Sequence, residues 1–353
     1  MALLVDIFGY LSIILHGLVI VAQSMMLGGL LFLVFLLHPL ATQHAQGEQI
    51  EQRVARLARW SAWALLLCEL ATTALQVSVL MSTVDLPLGN VMQASFAVAA
   101  SIKMLCALAI ALSLRPSTLT QAYGRWLLML VGLIELGAAT VTTHAYARLQ
   151  DNTLLLVVEG LHQFGAAIWI GGIPSFVLVL KQLTDAEGLR RIGSGFSRMA
   201  MLGVACILAS GITMWVYYVG DLQGFYGTAY GVMVGAKIAM FIGLLGLGLG
   251  NLLVTERLRK KHDASVIRLR RFAEVEIGIG FTIFFAAASL TSVPPAVDLT
   301  TDRVSLHEIA MRNAPAWPRL DSPDHDTLAI SQCSSVLSTI GTTHPSGPTV
   351  TVR

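Results

Sequence analysis

Two histidines lie inside long apolar stretches of this 353-residue chain, His16 in the first stretch and His162 in the fifth. Imidazole is costly in hydrocarbon, so it turns toward a bundle interior, a partner or a functional site. It ligates copper in either oxidation state and serves as an axial ligand of haem iron. Glu159, three residues before His162, puts a carboxylate on the same helical face. There it can ligate a metal or orient the ring by a hydrogen bond. His144, in Thr142-Thr143-His144-Ala145, is a third imidazole at one end of the fourth stretch. Gln23 shares a face with His16 and Trp169 shares one with His162, each pair being seven residues apart.

Charged residues inside the apolar stretches form a second group. Lys103 and Lys237 each fall in such a stretch, and Glu69, Glu135 and Glu276 lie within others. An unpaired charge there costs several kcal/mol, so pairing is expected. The spacing predicts Lys103 opposite Glu69 or Glu135, and Lys237 opposite Glu274 or Glu276. Such a network is either structural or the lining of a path for ions or protons.

The elements that hold these groups are membrane helices. Apolar residues make up 55% of the chain, charged residues 12%, and the mean hydropathy is +0.71, beyond the range of a soluble domain. Runs long enough to cross a ~30 Å hydrocarbon core fall at 8–37, 60–82, 94–114, 126–145, 154–180, 199–219, 228–254 and 273–293. The predicted fold is all-α and polytopic, with eight transmembrane helices. A β-barrel is excluded, because barrel strands alternate over about ten residues where these runs are continuously apolar.

Lysine and arginine concentrate in alternate loops: Arg53, Arg56 and Arg59; Arg115 and Arg125; Lys181, Arg190, Arg191 and Arg198; and a dense run between Arg257 and Arg271. The loops at 83–93 and 220–227 have none. The positive-inside rule puts the basic loops in the cytoplasm and both termini in the periplasm. His16 and His162 then lie roughly 12 Å below the outer boundary, at ~1.5 Å per residue. His144 falls on the same side, so the three imidazoles are expected to cluster toward the periplasm.

The two halves are weakly alike. Arg59 to Cys68-Glu69-Leu70-Ala71 resembles Arg198 to Cys206-Ile207-Leu208-Ala209; Ser101-Ile102-Lys103 resembles Gly235-Ala236-Lys237; and Gly28-Gly29 resembles Gly171-Gly172. Four helices per unit predict a 4+4 parallel repeat about an axis along the membrane normal. The expected domains are 1–146, 147–297 and a polar periplasmic tail at 298–353, partly disordered.

Glu159-Gly160-Leu161-His162 followed by Ile168-Trp169-Ile170-Gly171-Gly172 resembles the helix signature of the CopD copper-resistance family. Tyr226-Gly227, Tyr230-Gly231, Lys237 and Asn251, and then Arg271-Phe272, Glu276 and Pro294-Pro295-Ala296, resemble its later stretches. The resemblance implies a bacterial inner-membrane protein that handles copper, with a periplasmic copper-carrier protein as partner.

The expected function is movement of copper from periplasm toward cytoplasm through a buried site of His16, His144, His162 and Glu159. The alternatives are a b-type cytochrome, with His16 and His162 as axial ligands of haem b, and an accessory subunit of a larger membrane complex. The basic loops argue for topology before nucleic acid. No nucleophile elbow, phosphate loop or paired catalytic carboxylate motif points to an enzyme. Cys68, Cys106 and Cys206 lack metal-type spacing, and His307, His325, His344 and Cys333 in the tail match no known site.

Overall fold

The computed structural model describes residues 2–41, 47–84, 87–143, 152–183, 186–260, 266–299, 301 and 303–314. Every regular element among them is helical. Eight helices are long and apolar enough to cross a membrane: α1 (Phe8–Leu37), α2 (Gly47–Thr83), α3 (Ser95–Ser113), α4 (Ala122–Val141), α5 (Thr153–Gln182), α6 (Glu187–Tyr218), α7 (Ala229–Val254) and α8 (Ile267–Asp298). The protein is therefore a multi-pass membrane protein.

Several helices start earlier than hydropathy predicts, α2 and α6 by the most. The apolar residues Ile50, Val54, Ala58, Ala62 and Leu65 recur at every fourth or third position and are buried, so α2 begins well before the expected residue 60. Helical periodicity persists there although arginines lower the average. In α6, buried Ile192 and Phe196 extend the helix in the same way. Helix α4 stops at Val141, where the expected boundary was 145. The hydroxyls of Thr142 and Thr143 donate back to the carbonyls of Ala139 and Thr140 at 2.8 and 2.7 Å, an alternative to continuing the backbone ladder. His144 lies outside the described residues.

Helices α1 and α5 form the centre. Over their most apolar windows they are 67% and 78% buried, against 44% or less in the other six. Helix α1 packs on α2, α4, α5 and α8, and α5 packs on α1, α2, α4, α6 and α8. The outer helices turn Leu67, Leu105, Leu133 and Ile242 outward, all well exposed, as lipid-facing positions should be.

Glycines allow the two central backbones to touch. Gly28 of α1 faces the Ala167 carbonyl and Gly171 of α5, while Gly171 faces the Ser24 carbonyl. A side chain at either position would occupy the partner backbone, so only glycine permits this approach. Each central helix also contains a π-helical stretch, Phe32–Leu37 in α1 and Ala167–Gly171 in α5. Such stretches are rare and frequently mark functional sites. Near the basic-loop side, Phe176 stacks on Phe196 at 4.5 Å, with Phe32 6.0 Å from Phe196.

Residues 1–306 form one compact unit, and a second begins at His307. Within the first unit, Asp221 caps the short helix Leu222–Gly227 through the Gly224 amide at 2.6 Å. Arg303 grips both Asp221 oxygens at 2.8 and 3.0 Å. The second unit contributes to the helix Leu306–Asn313, which carries an Arg312–Glu308 ion pair at 2.6 Å.

Candidate functional site

His162 is held by α6. Its Nδ1 lies 3.0 Å from the Ser210 hydroxyl. That hydroxyl has one proton, which it donates to the Cys206 carbonyl at 2.6 Å, with the Ile207 carbonyl at 3.1 Å. Its oxygen therefore accepts from Nδ1–H, which leaves Nε2 as the nitrogen carrying the lone pair. A ligating histidine is set up in this way, by a bond that fixes tautomer and ring orientation. The close packing of α5 on α6 makes the contact possible, because Gly165 meets the Gly203 carbonyl at only 2.7 Å from an added Cβ.

Next to His162 a chain of amides crosses from α1 to α5. Gln23 donates to Gln163 at 3.2 Å, and Gln163 donates to Glu159 at 3.1 Å. Lys237 of α7 acts electrostatically on both Glu159 and His162. Glu159 is the acidic group that acts on Lys237 in turn. The expected pairing of Lys237 with Glu274 or Glu276 is corrected. Glu274 pairs instead with Lys181 at 3.0 Å and Arg270 at 3.6 Å. Glu276 accepts from Asn251, which lies fourteen residues from Lys237, about 21 Å of helix. The antiparallel register of α7 and α8 thus puts Glu276 at a different depth from Lys237.

Contacts between Gln23 and Gln163 and between Ser24 and Gly171 set α1 against α5 at offsets of 140 and 147 residues. That register brings half-buried His16 level with the stretch 156–163, where Glu159 and His162 lie. Among the described residues, no group of three or more His, Cys, Asp or Glu side chains could hold a metal ion.

A second cluster occupies the first half of the chain. Lys103 of α3 pairs with Glu69 of α2 at 2.9 Å, both nearly inaccessible, as one of the expected pairings had it. Glu135 of α4 is 0% exposed, and neither carboxyl oxygen has a hydrogen-bond partner among the described residues. Lys103 and Glu69 are the charged groups that act on it. In the other half, Glu276 takes a bond from the Trp169 side chain as well as from Asn251. Trp169 is thereby tied to α8 from within the π-helical stretch of α5.

Several of these partners were not legible in the sequence. Ser210 and Gln163 are ordinary polar residues until the helices pack. His38, at the end of α1, joins Glu51 at 2.9 Å and Arg125 at 2.9 Å, a contact across three elements with no local signal. Cys68, Cys106 and Cys206 are free thiols.

Residues 190–290, spanning most of α6, all of α7 and most of α8, match the profile of the CopD family, copper resistance protein D. Over that stretch the chain is similar to the CopD family. It is 28% identical over 202 residues to the copper transport protein CutJ of Bacillus subtilis (strain 168), covering 55% of this chain and 35% of that protein. It is 27% identical over 150 residues to copper resistance protein D of Pseudomonas syringae pv. tomato, covering 39% of this chain and 48% of that protein. The chain thus spans between a third and a half of the length of these curated relatives. No solved structure matches. Lys237, Asn251 and Glu276 lie inside the matched region, while His162 precedes it.

Proposed function

We propose that this protein receives copper on the periplasmic side of a bacterial inner membrane and passes it toward the cytoplasm, with His162 as the receiving ligand. The observation that carries the proposal is the Ser210 contact, which orients the imidazole and leaves Nε2 as its ligating nitrogen. His16, His144 and Glu159 complete the proposed set. A periplasmic copper-carrier protein would supply the ion. The names of the two relatives, a copper transport and a copper resistance protein, support this reading.

The architecture fits parallel halves at 1–146 and 147–297. Helix α1 packs on α2, α4 and α8 as α5 packs on α6, α8 and α4. The resembling pairs Gly28-Gly29 and Gly171-Gly172 meet at the centre, as equivalent positions do about an axis. Both termini are then periplasmic, on the side opposite the basic loops.

Haem b between α1 and α5 fits these contacts poorly. Gln23 and Gln163 already join the two helices beside His162. Purified protein tests the choice. A stoichiometric copper content with no reduced-minus-oxidised haem spectrum is expected, and His162→Ala should lose the copper while still inserting in the membrane. A haem spectrum, or copper content unchanged in His162→Ala, overturns the proposal.

A further inference from the structure

The cluster of Glu69, Lys103 and Glu135 lies in the part of the chain outside the family match and is not used by the proposed copper path. Its charges do not balance. Two carboxyl groups face one ammonium, and the ammonium is committed to Glu69 at 2.9 Å. Glu135 is 0% exposed with no hydrogen-bond donor to either oxygen among the described residues. A second carboxylate held there without a donor would be an uncompensated charge in a low-dielectric interior.

We propose that Glu69, Lys103 and Glu135 form an intramembrane proton-exchange site, in which one proton is shared between two carboxyl groups that compete for a single ammonium. In one state Glu135 carries the proton and Lys103 pairs with Glu69. In the other the proton has passed to a Glu69 oxygen, the Glu135 O–H bond is broken, and the ammonium pairs with the new Glu135 carboxylate. Each state holds one ammonium, one carboxylate and one carboxyl, so the net charge is constant and no charge is buried or exposed by the exchange.

The surroundings suit a closed proton site. Helix α3 contributes Lys103 and the Cys106 thiol, which senses the Glu135 charge, and α2 contributes Glu69 with Cys68 beside it. Helix α1 meets α4 with Leu27 and Leu30 at Gly132, and α5 meets it at Gly160 beside Thr140. Two carboxyl groups and an ammonium are not the imidazole, thioether or thiolate set that copper prefers.

Infrared difference spectroscopy of the full chain in lipid nanodiscs reads the protonated carboxyl directly through its C=O stretch. The wild type is expected to show a protonated-carboxyl band that shifts in D2O and titrates with pH. In Glu135→Gln, which keeps shape and volume, that band should be lost while copper bound at His162 is retained. In Lys103→Met, with no ammonium to contest, a second protonated-carboxyl band should appear. If Lys103→Met fails to fold, Glu135→Gln alone decides. A wild-type band that is absent, that neither exchanges nor titrates, or that survives in Glu135→Gln overturns the proposal, and none of these results depends on whether copper is transported.

Discussion

Replacing Gly171 by alanine tests whether the contact of α1 with α5 sustains the fold. An added Cβ would lie 2.5 Å from the Ser24 carbonyl carbon and still closer to its oxygen, where ordinary contact begins at 3.4 Å. Both atoms belong to backbone and cannot rotate away, so the helices must part by about 1 Å. A gap of that size forfeits a quarter to a half of each affected dispersion contact. Overpacking of this kind costs about 1–3 kcal/mol, which corresponds to a fall in Tm of roughly 2–8 °C. Unfolding can be followed with a thiol-reactive dye that reports exposure of Cys68, Cys106 and Cys206, in a Cys333→Ser background. Gly243 is the control, because a Cβ there meets nothing within 4 Å. Gly243→Ala should leave Tm unchanged or raise it, alanine being up to ~1 kcal/mol better than glycine within a helix. Equal melting of Gly171→Ala and Gly243→Ala would refute the reasoning, because only the methyl at Gly171 meets the backbone of another helix.

Two smaller changes probe the ends of the same structure. Ser210→Ala removes the acceptor for His162 Nδ1–H without touching a proposed ligand, and a roughly 10–100-fold loss of copper affinity is expected by equilibrium titration; unchanged affinity would show that Ser210 does not orient the ring. Asp221 is held below the usual carboxylate range, first by the Gly224 amide and then by Arg303. A depressed value means that its contribution to stability is complete above about pH 3.9, the ordinary aspartate value, and is lost as the pH falls through the lower folded value. Hydrogen exchange in residues 296–299 and 303–304 should therefore rise only in strong acid in the wild type, and at neutral pH in Asp221→Ala; exchange that is equal in both at neutral pH would show that the Asp221–Arg303 contact does not hold this segment.

Composition and apolar run length settle the class of this protein, because hydrocarbon admits only segments that satisfy their own backbone. All eight spans were legible for that reason; for Lys103 the sequence offered Glu69 or Glu135, and the structure pairs it with Glu69. The matched region of the family was also legible, in Tyr226-Gly227, Lys237, Asn251 and Glu276. Helix ends were less so. Hydropathy averaging hid the buried stripe at Ile50, Val54 and Ala58 behind the arginines between them, and missed the threonine hydroxyls that end α4 at Val141.

Partner choice belonged to the tertiary structure. Lys237 had acidic residues in the next helix, yet antiparallel register set Glu276 beside Asn251 and brought Lys237 to Glu159 of α5. Ser210 became the support of His162 only when Gly165 and Gly203 let α5 and α6 close on each other. Glu135 has no donor among the described residues for the same kind of reason, since the packing of α2 and α3 gave the ammonium to Glu69. A sequence specifies which residues share a helical face and at what depth. Which neighbour meets that face depends on rotation and register between helices, and those are set by the sum of many contacts distributed over the whole bundle.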